Sequence, residues 1–322
     1  MTFEIVEVSS ETALEFFKVN SSGSVFHHPK VAECLGSKIE WWQVNKGSEP
    51  FQLFPVSINN QGSVEIPPFS YYFGPYWSDR FSGRPISTRF SDSQIVFKLI
   101  LEHLAQRYTQ FQFELGLSDT DVRPFIWWNH EKCIPELKVV PRYSAVLPDL
   151  QVTAASQIEE NFRSLRRREI RRVTNSNRFV LTNTVDWREV ASGYSQTLLR
   201  SGSTFSSGYI SQSVGKLQAL ADSEMSQGIA FVDRESGSLA SFVFLLRAKG
   251  VSNLTLSFVK DDFRESGLGA YTMREAILTA KKLGDTSFDF NGANSPFRGD
   301  DKHSYGAVPA LYFRLESSIE MK

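Results

Sequence analysis

Apolar and polar residues alternate weakly over Phe3–Val8, which predicts a strand, and Ser10–Asn20 (SETALEFFKVN) has the spacing of a helix. Ile39–Val44 and Phe51–Ile58 predict a strand pair joined by a Gly/Ser/Glu/Pro turn. Ser91–Tyr108 predicts a helix with Ile95, Leu99 and Ala105 near one face and Asp92 in its first turn. Phe111–Leu117 and Leu137–Leu147 read as further strands. The pattern changes near Pro148. A helix over Ala154–Val173 leads to a strand, Arg178–Asn183, and two helices, Trp187–Arg200 and Ser211–Ser223. Three strands follow, Ile229–Val232, Leu239–Arg247 and Asn253–Val259, then a helix over Gly267–Leu283 and a strand, Ser287–Phe290. A Gly/Asn/Pro/Asp-rich loop precedes the last strand, Ala310–Leu315. The expected fold class is α/β (α+β), and because both halves pair a strand meander with a later helix and strand, the pattern permits a duplicated architecture.

Composition narrows the function classes. Of 322 residues, 41% are hydrophobic and 22% charged, as in globular proteins, and the net charge of -1 gives no global attraction to nucleic acid or anionic lipid. Cys34 and Cys133 make neither a disulfide framework nor a zinc site, so no metal is expected. The start, MTFEIVEVSSE, has no basic segment followed by an apolar stretch, and no window is long and apolar enough to span a bilayer. A cytoplasmic location is the expectation. Aromatics make up 13% of the chain, clustered at Trp41-Trp42, Tyr71-Tyr72-Phe73, Tyr76-Trp77 and Trp127-Trp128. Such clusters serve as core packing or as a stacking wall for a sugar or base, and spacing does not separate the two.

Two segments carry candidate chemistry. FRESGLGAYTMREA (263–276) sets Arg264, Gly267 and Gly269 between a strand and a helix. Thr272 at the third glycine position excludes a dinucleotide fingerprint, and the absence of Gly-Lys-Ser/Thr excludes a P-loop. The motif suits a pyrophosphate on first-turn amides, with Arg264 adding a charge-assisted bond, or a tight turn that needs glycine. In FDFNGANSPFRGDDKHSYGAVPALYFRLE (288–316), Phe288 and Phe290 share one strand face and Asp289 takes the other, as loop organiser or as base. Lys302, His303 and Tyr305 follow, a lysine, a tunable base and a phenol within four positions.

The first pattern resembles the acyl-CoA loop of GNAT N-acyltransferases, and the element order after residue 150 is similar to that fold. The second resembles Fem-type aminoacyltransferases and their FemAB-like GNAT relatives, which carry two GNAT-like lobes in one chain. FHHPKVAECLG (26–36) and IPPFSYYFGPYW (66–77) are similar to first-lobe segments of that family, with Val31 in place of a tryptophan. The resemblance implies tandem lobes, 1–148 on the acceptor side and 149–322 with the donor loop, each a mixed, mostly antiparallel sheet flanked by helices. The final strand could return to the first lobe.

NFRSLRRREIRRV (161–173) places six arginines in ten residues. At about 100° per residue, Phe162, Leu165, Ile170 and Val173 form an apolar arc, and Arg166 falls inside it. An unpaired guanidinium there would be expensive, so Arg166 is expected to reach a carboxylate or phosphate. The remaining arginines read as a solvated face or as a contact for tRNA or a lipid-linked diphosphate. The segment resembles the family's R-x-x-I-R-x-A helix.

The resemblance implies an acyltransferase moving an acyl group from acyl-CoA, acetyl-CoA first, to an amine or hydroxyl of a cell-envelope or surface-glycan precursor. Amides near Phe258 and Val259 would polarise the thioester carbonyl, and Arg264, Gly267, Gly269 and Ala270 would hold the cofactor. Lys302 would orient the carbonyl or acceptor, His303 or Asp289 would take the proton, and Tyr305 would protonate the thiolate. Arg166, Lys38 and Tyr72 are the candidate substrate contacts. Asp301 departs from the aromatic that precedes the family lysine. The alternatives are a Fem-type enzyme using aminoacyl-tRNA on a peptidoglycan precursor and a non-catalytic nucleotide- or glycan-binding protein.

Overall fold

The chain folds as two units, residues 1–142 with 311–322 and residues 143–310, in a computed structural model that describes residues 2–202 and 204–317. The first unit runs β1 (Phe3–Val8), α1 (Ser10–Val19), α2 (Pro29–Leu35), β2 (Lys38–Lys46), β3 (Glu49–Ile58), β4 (Val64–Glu65), β5 (Tyr76–Trp77), α3 (Asp79–Ser82), α4 (Ile86–Arg107), β6 (Gln112–Glu114), α5 (Arg123–His130) and the start of β7 (Leu137–Leu147). The second unit runs α6 (Ala155–Glu160), α7 (Ser164–Ser176), β8 (Phe179–Thr182), α8 (Trp187–Arg200), α9 (Ser207–Gln218), β9 (Ser226–Asp233), β10 (Leu239–Ala248), β11 (Val251–Val259), α10 (Leu268–Lys282), β12 (Ser287–Asp289) and α11 (Pro296–His303). The last strand, β13 (Val308–Ser317), starts in the second unit and ends in the first.

In the first unit β1, β2, β3 and β4 form an antiparallel sheet, with β5 also on β3. The chain's end pairs antiparallel with β6, through Arg314↔Glu114 and Leu315↔Phe113. Ser9 starts α1 by accepting from Thr12 N at 3.3 Å. Residues Val96, Phe97, Ile100, Leu101 and Leu104 of α4 recur at three- and four-residue spacing and bury against Trp42, Val44, Phe54 and Val56. Each such side chain stabilises by about 1.5–3 kcal/mol over leaving it in water.

The sheet of the second unit has the order β7-β12-β11-β10-β9-β8. Its neighbours run antiparallel except β11 and β12, which are parallel. Leu268, Met273, Ala276, Ile277 and Ala280 of α10 make one apolar stripe and cover the sheet through Phe231, Val243, Leu245, Leu254 and Phe288. α8 approaches β11 more closely than a side chain would allow. A Cβ at Gly193 would fall inside contact distance of the Phe258 ring.

Several expectations are corrected. α4 begins at Ile86, so Asp92 is not in its first turn, and Ile95 is 53% exposed. Asp92 is instead buried, accepting from Lys46 Nζ at 2.8 Å and from Arg84. The helix predicted over Ala154–Val173 is two, because Arg163 N bonds Ser304 O at 2.8 Å and the chain bends between them. Leu165 is 51% exposed rather than part of the apolar arc. α9 starts at Ser207, where Ser206 caps it. The loop before the last strand holds α11, with Pro296 in its first turn. Trp41, Trp42, Tyr72, Phe73, Tyr76, Trp77 and Trp128 are buried, so those aromatics are packing groups, and Trp127 is exposed.

Candidate active site

The second unit parts its sheet at one place. β11 and β12 pair only from Val251↔Ser287 to Asn253↔Asp289, and β11 then runs on to Val259 beyond the end of β12. The parting has a local cause. Against β10, Phe244 faces Leu256 and Leu245 faces Leu254, so Thr255 is an extra residue in β11. Such a bulge bends its strand and ends regular pairing. Asn291 holds the apex: its Nδ2 donates to Leu254 O at 3.0 Å and its N–H donates to Asp289 Oδ1 at 2.8 Å. The Oδ1 of this fully buried side chain has no hydrogen-bond donor among the described residues.

Asp289 is buried and accepts from Ser144 Oγ as well as Asn291 N–H, the arrangement of a loop organiser. From α11, Lys302 Nζ donates to Phe290 O at 3.0 Å, to Gly292 O at 2.8 Å and to Asn291 O. The ammonium thus gathers the carbonyls of the segment that leaves β12. His303 Nδ1 lies 2.8 Å from Ala307 O. A carbonyl only accepts, so Nδ1 donates and Nε2 of the neutral ring keeps its lone pair. Tyr305 is buried, stacked on Phe290 at 5.7 Å and edge-on to Phe162 at 5.4 Å. Burial first, then the Asp301 carboxylate, push its phenol well above the usual range.

Beyond the parting, the chain makes a short 3-10 helix over Asp261–Ser266 and enters α10 through its N-cap, Gly267. Arg264 is exposed, with no side-chain partner among the described residues. Gly267 has φ 91°, and a Cβ there would lie 2.9 Å from Glu169 Cβ and 3.1 Å from Glu169 Cα and O. Positive φ and the closeness of α7 therefore both require glycine. A Cβ at Gly269 would touch Val259, and Leu268 N–H is taken by Ser266 Oγ at 3.1 Å. Ala270 is buried and Val259 half-buried on the α10 side of the sheet, and Phe258, the neighbouring strand residue, is buried against α8.

α7 links the two clusters. Arg166 donates to Glu169 Oε2 at 2.6 Å, to Ser304 Oγ at 2.9 Å and to Asp301, and its guanidinium lies 5.7 Å over the Tyr305 ring. Arg163 pairs with Asp300 at 2.6 Å, and Arg172 donates to Ser266 O at 2.9 Å and Glu265 O at 2.6 Å. Arg167, Arg168 and Arg171 are exposed. The structure thus links Asp289, Lys302, Tyr305 and Arg166 through Phe290, Asn291 and Ser304, with His303 beside Lys302 in α11 and bonded to Ala307 O. Lys38 and Tyr72 belong to the first unit. Lys38 is exposed and pairs with Glu40 at 2.7 Å. Tyr72 is buried at φ 58°, with its N–H on Glu114 Oε2 at 2.9 Å.

Thr255, Asn291, Glu169 and Ser304 were not singled out by sequence reasoning. Only Glu169 and Ser304 had a signal, since Arg166 in an apolar arc calls for polar partners. Among the described residues no three His, Cys, Asp or Glu side chains gather as a metal site, and no helix is long and apolar enough to cross a membrane.

No family model matches the chain, and no curated protein matches its sequence. Solved structures do match. That of FemX aligns with a TM-score of 0.64 and 12% identity over 96% of each chain. A tandem GNAT protein from the clavulanic acid biosynthesis pathway aligns at 0.56 and 10% identity over 98% of each. L-PGS from Bacillus licheniformis aligns at 0.56 and 12% identity, over 98% of this chain and 94% of that one. Identities this low speak to fold. The chain carries the mixed α/β, tandem GNAT-like fold that these structures share.

Proposed function

We propose that this protein is an acyltransferase of the GNAT superfamily, with its donor site in the second unit where β11 and β12 part. The observation that carries the reading is the bulge at Thr255, which frees the length of β11 next to the turn into α10. An extended thioester arm fits between diverging strands, and donors fixed beside it stabilise charge on the carbonyl oxygen. Acyl-CoA is the proposed donor. Its pyrophosphate would lie against the turn Arg264–Ala270, with Arg264 as counter-charge. The proposed acceptor is an amine or hydroxyl of a cell-envelope or surface-glycan precursor, as the resemblance of the 288–316 segment to Fem-type enzymes implies.

The acceptor atom attacks the carbonyl carbon, the C–S bond breaks, and His303 Nε2 takes the acceptor's proton and returns it to the thiolate. Lys302 and Asp289 hold the segment after β12. Tyr305 stays protonated and supports that segment through Phe290, a positioning role. Calorimetry with acetyl-CoA tests the donor: wild type binds, and Arg264→Ala weakens binding by roughly tenfold, the scale of one lost charge-assisted bond. Absence of heat with the wild type would remove acyl-CoA.

One observation favours a second reading. α7 sits on Gly267 and presents Arg167, Arg168 and Arg171 to solvent beside the donor turn. That arrangement suits an aminoacyl-tRNA donor. It predicts tRNA binding with steep salt dependence that is lost in the double variant Arg167→Glu, Arg171→Glu.

A further inference from the structure

Antiparallel or not, two packed helices normally fill their seam with interlocking apolar side chains. α8 and α9 do not. Between them lies a cavity of roughly 800 Å3 that opens to solvent, inside the about 300–1,000 Å3 of small-molecule sites. α8 lines it with Trp187, Arg188, Ala191, Ser192, Ser195 and Gln196, and α9 with Ser207, Ile210, Ser211, Val214, Gly215 and Gln218. The spacing of each set is that of a single helix face.

The lining chemistry selects the occupant. Asp186 and Arg188 are its charged residues and cancel, so no excess of cations calls for a phosphate. Ser192, Ser195, Ser207 and Ser211 make the walls too polar for an acyl chain. The Gln196 side chain adds an amide to the same wall. Trp187 supplies a ring, held at steep angles to those of Phe242 at 5.7 Å and Phe244 at 5.6 Å. Hydroxyls, amides and one fixed indole together match a ring with apolar C–H faces and polar substituents at its rim.

We infer that the α8/α9 cavity binds a neutral mono- or disaccharide. The site lies on the far side of α8's contact with β11, where Gly193 meets Phe258. It does not depend on the acyl-transfer reading, since binding is measured without any acyl donor.

The test is a titration of 15N-labelled full-length protein with N-acetylglucosamine, then separately with inorganic phosphate and with hexanoate. The sugar is expected to shift amide resonances within residues 185–218, and the other two probes to leave them in place. Gly215→Leu fills the cavity: a Cβ at Gly215 meets nothing within 4 Å. It should weaken sugar binding by roughly tenfold or more with its thermal midpoint unchanged. Gln196→Leu serves the same purpose without adding volume, should the first variant fold poorly. The inference is overturned if the sugar moves none of these resonances, if a folded cavity variant binds like wild type, or if phosphate or hexanoate is what shifts them.

Discussion

Ser24 N–H donates to His27 Nδ1 at 2.9 Å, and His27 Nε2 faces Gly74 O at 3.0 Å. With Nδ1 already accepting, Nε2 must carry the proton, and the buried ring has no room for a second. Burial drives its pKa down from 6.5 to about 4, against the opposing pull of the Gly74 carbonyl. The unfolded chain therefore binds a proton between pH 6.5 and 4 that the folded one does not. Stability should be full above pH 6.5 and fall as pH drops toward 4. Urea titrations across that window should show a shallower loss for His27→Asn, whose Oδ1 can accept from Ser24. Equal slopes would refute this. Gly267→Ala is expected to cost about 1–3 kcal/mol, because alanine resists φ 91° and its methyl meets Glu169. Equilibrium unfolding measures that loss. Of the site residues, those with a chemical label were legible in the sequence: Lys302, His303, Arg264. Thr255 and Asn291 act through backbone register and one buried amide, which no residue type announces.

At the scale of elements, α8 spans Trp187–Arg200 as its spacing predicts, because Asp186 caps it and its apolar face is regular. α11 was hidden by the turn-forming composition of its neighbourhood, although a Ser-Pro start was present. The break between α6 and α7 was also illegible, since it depends on Arg163 N reaching a distant carbonyl at Ser304. The α7–α11 link yields a prediction. Arg166→Met removes a guanidinium shared by Glu169, Asp301 and Ser304 and leaves these groups unmatched. Hydrogen exchange should speed up in α11 and in the segment after β12, and global stability should fall by about 1–3 kcal/mol. Unchanged exchange there would show that the link does not hold α11.

For the molecule as a whole, a net charge of -1 conceals a local concentration of arginines on α7 next to the donor turn. That is why composition alone could not decide between a nucleotide cofactor and an RNA-borne donor. The alternation of strands and helices made the α/β class legible, while the paired meanders only permitted a duplication, which the family resemblance then implied. The return of the chain's end to β6 depends on long-range pairing and could only be raised as an option. Every step of the proposed chemistry requires an activated acyl donor to seat where β11 leaves β12. Calorimetric titration of acetyl-CoA into wild type and Arg264→Ala tests this most directly. The account predicts saturable binding to the wild type and roughly tenfold weaker binding to the variant. Saturable binding of equal strength in both proteins, or none in either, would contradict it.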